Sequence, residues 1–227
     1  MKRTLAIGDI HGCYDALRTL VEFVGVTDDD LIVTLGDYVD RGPDSKQVLE
    51  LLMLRESNGL LIPLRGNHDE MMCAARHDRF QIFPWTAVGG AETIESYLRD
   101  SKASGFDAVP DSHWDFLENR CLPYHETETH IFVHAGVDPD LPMEEQEEET
   151  LYWRRFADDG PHCSGKVVIC GHTAQDSGRP LNFGHSVCID TWVYGDGWLT
   201  CLDVATGDYW QARQFSSETR RGNLADL

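Results

Sequence analysis

The chain has 227 residues, enough for one α/β domain with a continuous core, and its 19 basic against 39 acidic side chains give a formal charge of −20. That acidity excludes non-specific attachment to nucleic acid or to an anionic membrane, both of which need basic surface, so an anionic substrate must be attracted locally, for example by bound divalent cations. The seven cysteines include no Cys-x-x-Cys pair and read as reduced, mostly buried thiols of a cytoplasmic protein.

In chain order, the first apolar run is too short for a signal peptide or a membrane span. Thr4 to Gly8 reads as a strand ending in Gly8-Asp9-Ile10-His11-Gly12. Leu17, Leu20, Val21 and Val24 then recur at helical spacing up to Gly25, which predicts an amphipathic helix closed by glycine. Leu31 to Leu35 is short, β-branched and followed by Gly36-Asp37-Tyr38-Val39-Asp40-Arg41-Gly42, the pattern of a buried strand emptying into a tight loop. Ser45 is placed to cap a second helix whose apolar face includes Val48, Leu49, Leu51, Leu52 and Leu54, closing near Asn58-Gly59. A third strand, Leu60 to Leu64, delivers Arg65-Gly66-Asn67-His68-Asp69.

Strand and helix alternate here as in a right-handed, mainly parallel sheet, with ligands expected along the rim formed by the strands' carboxyl ends. From about Arg76 to Tyr124 the pattern becomes helical, and its aromatic residues are expected to pack rather than to recognise a ligand. The sheet resumes at His130 to Val133, ending in His134-Ala135-Gly136. An acidic run, Glu144 to Glu149, reads as a solvated face, and Trp153-Arg154-Arg155 as either a surface ion pair or a phosphate clamp. Val167 to Cys170 ends in Gly171-His172-Thr173. Val187 to Asp190, Trp198 to Val204 and Tyr209 to Gln211 read as antiparallel strands joined by turns, implying a second layer of sheet. The tail from Ser216 is polar and expected to fray. No domain linker interrupts the chain, so residues 1–227 form one expected domain.

The strand ends together offer Asp9, His11, Asp37, Asn67, His134 and His172, an oxygen and imidazole set suited to manganese, iron or zinc. One cation would be held by Asp9, His11 and Asp37, a second by Asp37, Asn67, His134 and His172, with Asp37 bridging. Two such ions carry about +4, which two aspartates and a bridging hydroxide reduce by about 3, leaving a positive excess for phosphate. Arg41 adds a planar fork of donors, and Asn67 lies at the same strand end to contact phosphate as well. Water activated between the metals can attack phosphorus in line, with His68 as the acid that protonates the leaving oxygen and Asp40 orienting its ring.

Through Gly8-Asp-Ile-His-Gly12, Gly36-Asp-Tyr-Val-Asp-Arg-Gly42, Arg65-Gly-Asn-His-Asp69, His134-Ala-Gly136 and Gly171-His172, the sequence resembles the phosphoprotein phosphatase group of calcineurin-like metallophosphoesterases, especially its small bacterial and phage members. The resemblance spans the first strand to the terminal sheet. It implies a β-sandwich of two mixed sheets flanked by helices, a dinuclear centre often filled by manganese, and hydrolysis of phosphomonoesters on protein serine, threonine and sometimes tyrosine. It also implies a further phosphate-binding arginine, for which Arg155 fits best and Arg154 is the neighbouring candidate. Asp69 departs from the pattern, since protein phosphatases usually carry glutamate there.

Three other readings compete. Cys73-x5-Arg79 has the spacing of cysteine-dependent phosphatases but lacks their glycine-rich loop. A dinucleoside polyphosphate hydrolase would use the same centre on an anhydride. A scaffold that kept the fold and lost its metals would have no reason to keep all six donors and His68.

Overall fold

The computed structural model describes residues 3–99 and 101–227. Its strands are β1 (Thr4–Ile7), β2 (Leu31–Thr34), β3 (Leu61–Pro63), β4 (Tyr124–Glu126), β5 (His130–Val133), β6 (Val167–Cys170), β7 (Leu181–Asn182), β8 (Ser186–Cys188), β9 (Leu199–Asp203), β10 (Asp208–Ala212) and β11 (Thr219–Asn223). They form two mixed sheets, a six-stranded one in the order β11-β10-β9-β1-β2-β3 and a five-stranded one in the order β4-β5-β6-β8-β7. Within the first, β1, β2 and β3 run parallel, and within the second β5, β6 and β8 do.

The period-2 alternation of a strand explains the layers. Ala6, Val33, Phe132, Ile169, Val187 and Leu202 point inward and make the apolar layer between the sheets. Their neighbours Leu5, Ile7 and Ile32 face helices α1 (Tyr14–Val24) and α2 (Ser45–Ser57), while Ile131, Val133 and Val168 face the opposite side of the sandwich. Strands covered on both faces read as continuous apolar runs, which is why the central ones were visible in the sequence.

Helix α1 ends at Gly25 in the left-handed conformation, as its sequence predicts. In α2, Val48, Leu49 and Leu52 are buried but Leu54 is 61% exposed, and Ser45 does not cap. Between β3 and β4 lie α3 (Asn67–His77), α4 (Ile82–Trp85), α5 (Ala91–Leu98) and α6 (Asp111–Asp115), with wide turns at Thr86–Gly90 and Phe116–Arg120. Trp85, Tyr97, Trp114 and Phe116 are buried there as core residues. A last helix, α7 (Glu148–Trp153), takes up the end of the acidic run.

Two expectations are corrected. The strand at Val187 lies parallel to β6 in the five-stranded sheet and is not part of an antiparallel succession with β9 and β10. The tail from Ser216 is no loose end, because Thr219–Asn223 pairs with β10 over five residues and Tyr209 lies over Gly222. An edge strand with a half-exposed face has no apolar alternation to announce it.

The start of β2 is tied to the start of β1 by Arg3, whose Nε and Nη2 donate to the two oxygens of Asp30 at 2.8 and 2.6 Å. Thr27 adds its backbone N–H and hydroxyl. Hydrogen bonding from Arg3, then from Thr27, outweighs burial and holds the Asp30 carboxyl below its usual range. A carboxyl depressed on folding stabilises above its unfolded pKa of about 4 and loses that contribution as the pH falls further. Asp30→Asn should therefore cost about 2 kcal/mol in urea unfolding at pH 7, with the gap to wild type narrowing below about pH 4. A gap independent of pH would refute the pairing.

Candidate active site

Five strand ends deliver the candidate side chains to one place: β1 leads to Asp9 and His11, β2 to Asp37, Asp40 and Arg41, β3 to Asn67 and His68, β5 to His134 and β6 to His172. The rim therefore joins both sheets and not one. Close approach of the loops needs glycine. Gly36 has φ 96°, and a Cβ on it would run into Gly66, while a Cβ on Gly66 would strike the Asp37 carboxylate.

Two of the imidazoles are oriented by the backbone. His11 Nδ1 lies 2.9 Å from the Val39 carbonyl and His134 Nδ1 lies 2.8 Å from that of Leu35, so with these as N–H donors both Nε2 atoms turn bare toward the centre. Asn67 Oδ1 sits 2.8 Å from His134 Nε2 and 3.0 Å from His172 Nδ1. Burial lowers the pKa of His134, and that of His172 to about 4, so both rings are neutral near pH 7. An amide oxygen facing unprotonated ring nitrogens is a cluster of acceptors that a cation satisfies.

Asp37 stands between the two sides, with Oδ1 3.6 Å from His134 Nε2 and Oδ2 3.4 Å from His11 Nε2. Burial raises its pKa, but His134, His68 and His11 outweigh that and hold the carboxyl below its ordinary range. Potential ligand atoms of Asp9, Asp37 and His134 lie within 4.8 Å of one another, as do those of His11, Asp37 and His68. Asp37 is common to both groups. The donors are hard or borderline and buried, and they fit divalent metal ions.

His68 Nδ1 lies 2.7 Å from Asp40 Oδ2. Burial opposes a charge on His68, yet the carboxylates of Asp37 and Asp40 outweigh it and raise its pKa above the usual imidazole value. Arg41 places Nη1 2.7 Å from His11 Nε2 and Nη2 2.8 Å from His68 Nε2, with its guanidinium 4.3 Å above the Tyr194 ring. Asp37, Arg41, Arg155, His172 and Tyr194 line a cavity of about 380 Å³ beside the donors. Arg155 has no hydrogen-bond partner among the described residues, whereas Arg154 is paired with Asp159 at 3.1 Å and lies along Gly136. Cys73 is buried in α3, and burial pushes its thiol up to about 12, which removes it as a nucleophile.

The sequence marked Asp69 only as a departure from the family pattern and did not single out Asp190, Tyr194, Trp85 or Thr93. Asp69 Oδ2 accepts the backbone N–H groups of Asp37 and Gly66 at 2.9 Å, and its Oδ1 accepts that of Tyr38 at 3.0 Å. The shorter side chain at this departure from the family pattern locks the β2 and β3 loops together. Asp190 is buried against the Asp9 side of the site, and burial pushes it up to about 6. Tyr194, Trp85 and Thr93 come from segments whose apolar or turn-like sequence signals packing alone.

A family model described as calcineurin-like phosphoesterase matches residues 2–176. The chain belongs to the calcineurin-like phosphoesterases. The chain is 44% identical over 156 residues to a serine/threonine-protein phosphatase 1 of Salmonella typhimurium, a stretch that covers 67% of this chain and 63% of the relative. It is 30% identical over 154 residues to a symmetrical bis(5'-nucleosyl)-tetraphosphatase of Nitrosomonas europaea, covering 65% of this chain and 52% of that one. The matches thus span half to under two thirds of these relatives' length. In fold it resembles a crystal structure of a putative diadenosine tetraphosphatase, with a TM-score of 0.66 at 19% identity over 98% of this chain and 93% of the other. It also resembles a cold-active protein tyrosine phosphatase, with a TM-score of 0.59 at 19% identity over 97% and 78% of the two chains.

Asp69→Asn keeps the shape but faces an amide NH₂ toward backbone donors, leaving at least one N–H without an acceptor. A loss of about 1–3 kcal/mol is expected in denaturant unfolding, with weaker manganese uptake by calorimetry because Asp37 loses its anchor. Unchanged stability and uptake would show that the loops are held otherwise.

Proposed function

We propose that this phosphoesterase is a metal-dependent phosphomonoesterase acting on phosphorylated serine or threonine of proteins. The observation that carries this reading is the His68–Asp40 pair set beside Asp37 at the edge of a cavity bearing two guanidinium groups. Asp9, His11, Asp37, Asn67, His134 and His172 would hold two divalent cations, for which manganese suits the oxygen and imidazole donors. When bound, such ions supply Lewis acidity toward the phosphate and a water acidic enough to attack it near neutral pH.

The remaining work falls to the chain's own groups. Arg41 and Arg155 line the cavity as the cations that can grip phosphate oxygens, and Asn67, next to His172 of that lining, would offer its amide to the same group. As Arg41 turns toward a bound phosphate, it leaves the Nε2 of His68, which is then free to carry a proton. Asp40 holds the opposite nitrogen, so the imidazolium is stabilised while its Nε2–H points toward the leaving oxygen. Proton donation matters most for an alkoxide, the leaving group of phosphoserine and phosphothreonine.

The second reading is hydrolysis of a dinucleoside tetraphosphate, favoured by relatives such as the Nitrosomonas europaea tetraphosphatase and by one of 52% identity over 105 residues from Baumannia cicadellinicola, which covers 42% of this chain and 35% of that one. The cavity weighs toward the monoester, since among the described lining residues Arg41 and Arg155 are the two cations, a number suited to one phosphate group. The 44% identity with the Salmonella phosphatase supports the same choice.

Manganese-loaded protein should turn over phosphoserine or phosphothreonine peptides at higher kcat/KM than diadenosine tetraphosphate. The reverse order would transfer the assignment to the tetraphosphatase reading. His68→Asn should retain metal by elemental analysis and slow alkyl phosphoester hydrolysis by about 10²–10⁴, with a smaller loss on p-nitrophenyl phosphate, whose leaving group needs little protonation. Equal losses on both would remove His68 as the proton donor.

A further inference from the structure

The segment from Trp85 to Thr93 meets the Asp40–Arg41 turn through several directed contacts. Trp85 Nε1 donates to both carboxylate oxygens of Asp40 at 3.0 Å. Thr93 Oγ1 donates to Asp40 Oδ1 at 2.8 Å and accepts the Asp40 backbone N–H at 2.8 Å. Because the one hydroxyl proton of Thr93 is engaged there, the 3.1 Å contact with Ser45 is a donation from Ser45 Oγ. The Gly89 carbonyl accepts the Arg41 N–H at 3.1 Å.

The local backbone is shaped to allow this. Gly89 has φ 120°, and a Cβ there would come within 2.6 Å of the Arg41 nitrogen. A Cβ on Gly90 would enter the Trp85 ring. Asp40 and Arg41 are themselves left-handed, with φ 75° and 70°, a strained backbone that persists only where neighbours fix it. Packing alone does not account for the pattern. A core tryptophan needs one acceptor for its N–H, and any backbone carbonyl would serve, yet Trp85 reaches the carboxylate that holds His68.

We propose that Trp85 and Thr93 are positioning residues for the hydrolysis: with Asp40, 0% exposed, they form a buried clamp that fixes the carboxylate oxygen facing His68 and thereby aims the opposite ring nitrogen at Arg41, on the edge of the cavity. The clamp rests on the reading of His68 as proton donor. Asp40 has two oxygens and could rotate about its terminal bond, and the Trp85 N–H shared between both oxygens together with the Thr93 hydroxyl on Oδ1 removes that freedom. The helical segments that connect β3 to β4 thus act on the chemistry without touching substrate.

The test is a double-mutant cycle in the manganese-loaded full chain, reading kcat and KM on a phosphoserine peptide and on p-nitrophenyl phosphate. Trp85→Phe and, separately, Thr93→Val should each lower kcat on the phosphopeptide by about tenfold or more, with KM little changed and a smaller effect on p-nitrophenyl phosphate. Thr93→Ser, which keeps the hydroxyl, should restore the rate. In a His68→Asn background neither substitution should lower kcat further, since each acts through that ring. If His68→Asn shows the leaving-group dependence but the Trp85 and Thr93 variants lower both substrates equally, or lower kcat additively with His68→Asn, the clamp is overturned and the acid stands. If His68→Asn shows no such dependence, the acid assignment fails and the clamp's role in hydrolysis falls with it. Thr93→Val decides the matter should Trp85→Phe fail to fold.

Discussion

Everything in the site depends on keeping one carboxylate ionised where little water reaches. Asp37 is 2% exposed, and its charge is tolerated because the His68 ring, which holds its proton more tightly than a free imidazole, lies near it and the His68 backbone N–H donates to its Oδ1 at 2.9 Å. The same carboxylate then fixes much of its neighbourhood. It holds its own loop to the first turn of α3, faces His11 on one side and His134 on the other, and raises the basicity of His68. Removing that charge would leave three imidazoles and a guanidinium crowded together without their common partner.

The convergence is bought with backbone strain. His11, Asp37, Asp40, Arg41 and His172 all adopt positive φ without being glycine. A left-handed residue costs an ordinary side chain about 1 kcal/mol or more, so five of them represent a sizeable local burden. Glycine would relieve it and would also remove the side chains the site requires. The compensating contacts are those of Asp69, which ties two loops through three backbone N–H groups, and the tight facing of Gly36 and Gly66.

Much of this was legible in the sequence because the strands before Asp9, Asp37, His134 and His172 are buried on both faces and end in short loops of glycine beside Asp or His. A turn has no structural need of such residues at every strand end. The partners of Asp40 were not legible: Thr93 is 53 residues away and Trp85 is 45, and nothing in an apolar or a helical stretch says which buried acceptor its N–H will find. The placing of His134 and His172 opposite Asp37 and Asn67 likewise depends on how two sheets face each other, which no local pattern encodes. The strand at Thr219–Asn223 was missed because Thr, Arg, Arg, Gly and Asn give no face to bury, and its place comes from β10.

The site's derivation from both sheets has a mechanical consequence. Asp9, His11, Asp37, Asn67 and His68 follow strands of the six-stranded layer, whereas His134 and His172 follow β5 and β6 of the other. An ion coordinated from both sides would act as a rivet through the sandwich, so that sliding of one layer over the other would first register as a change in metal affinity. Conversely, loading the centre would stiffen the whole molecule against separation of its layers, coupling the chemistry to the rigidity of a core several residues removed from it.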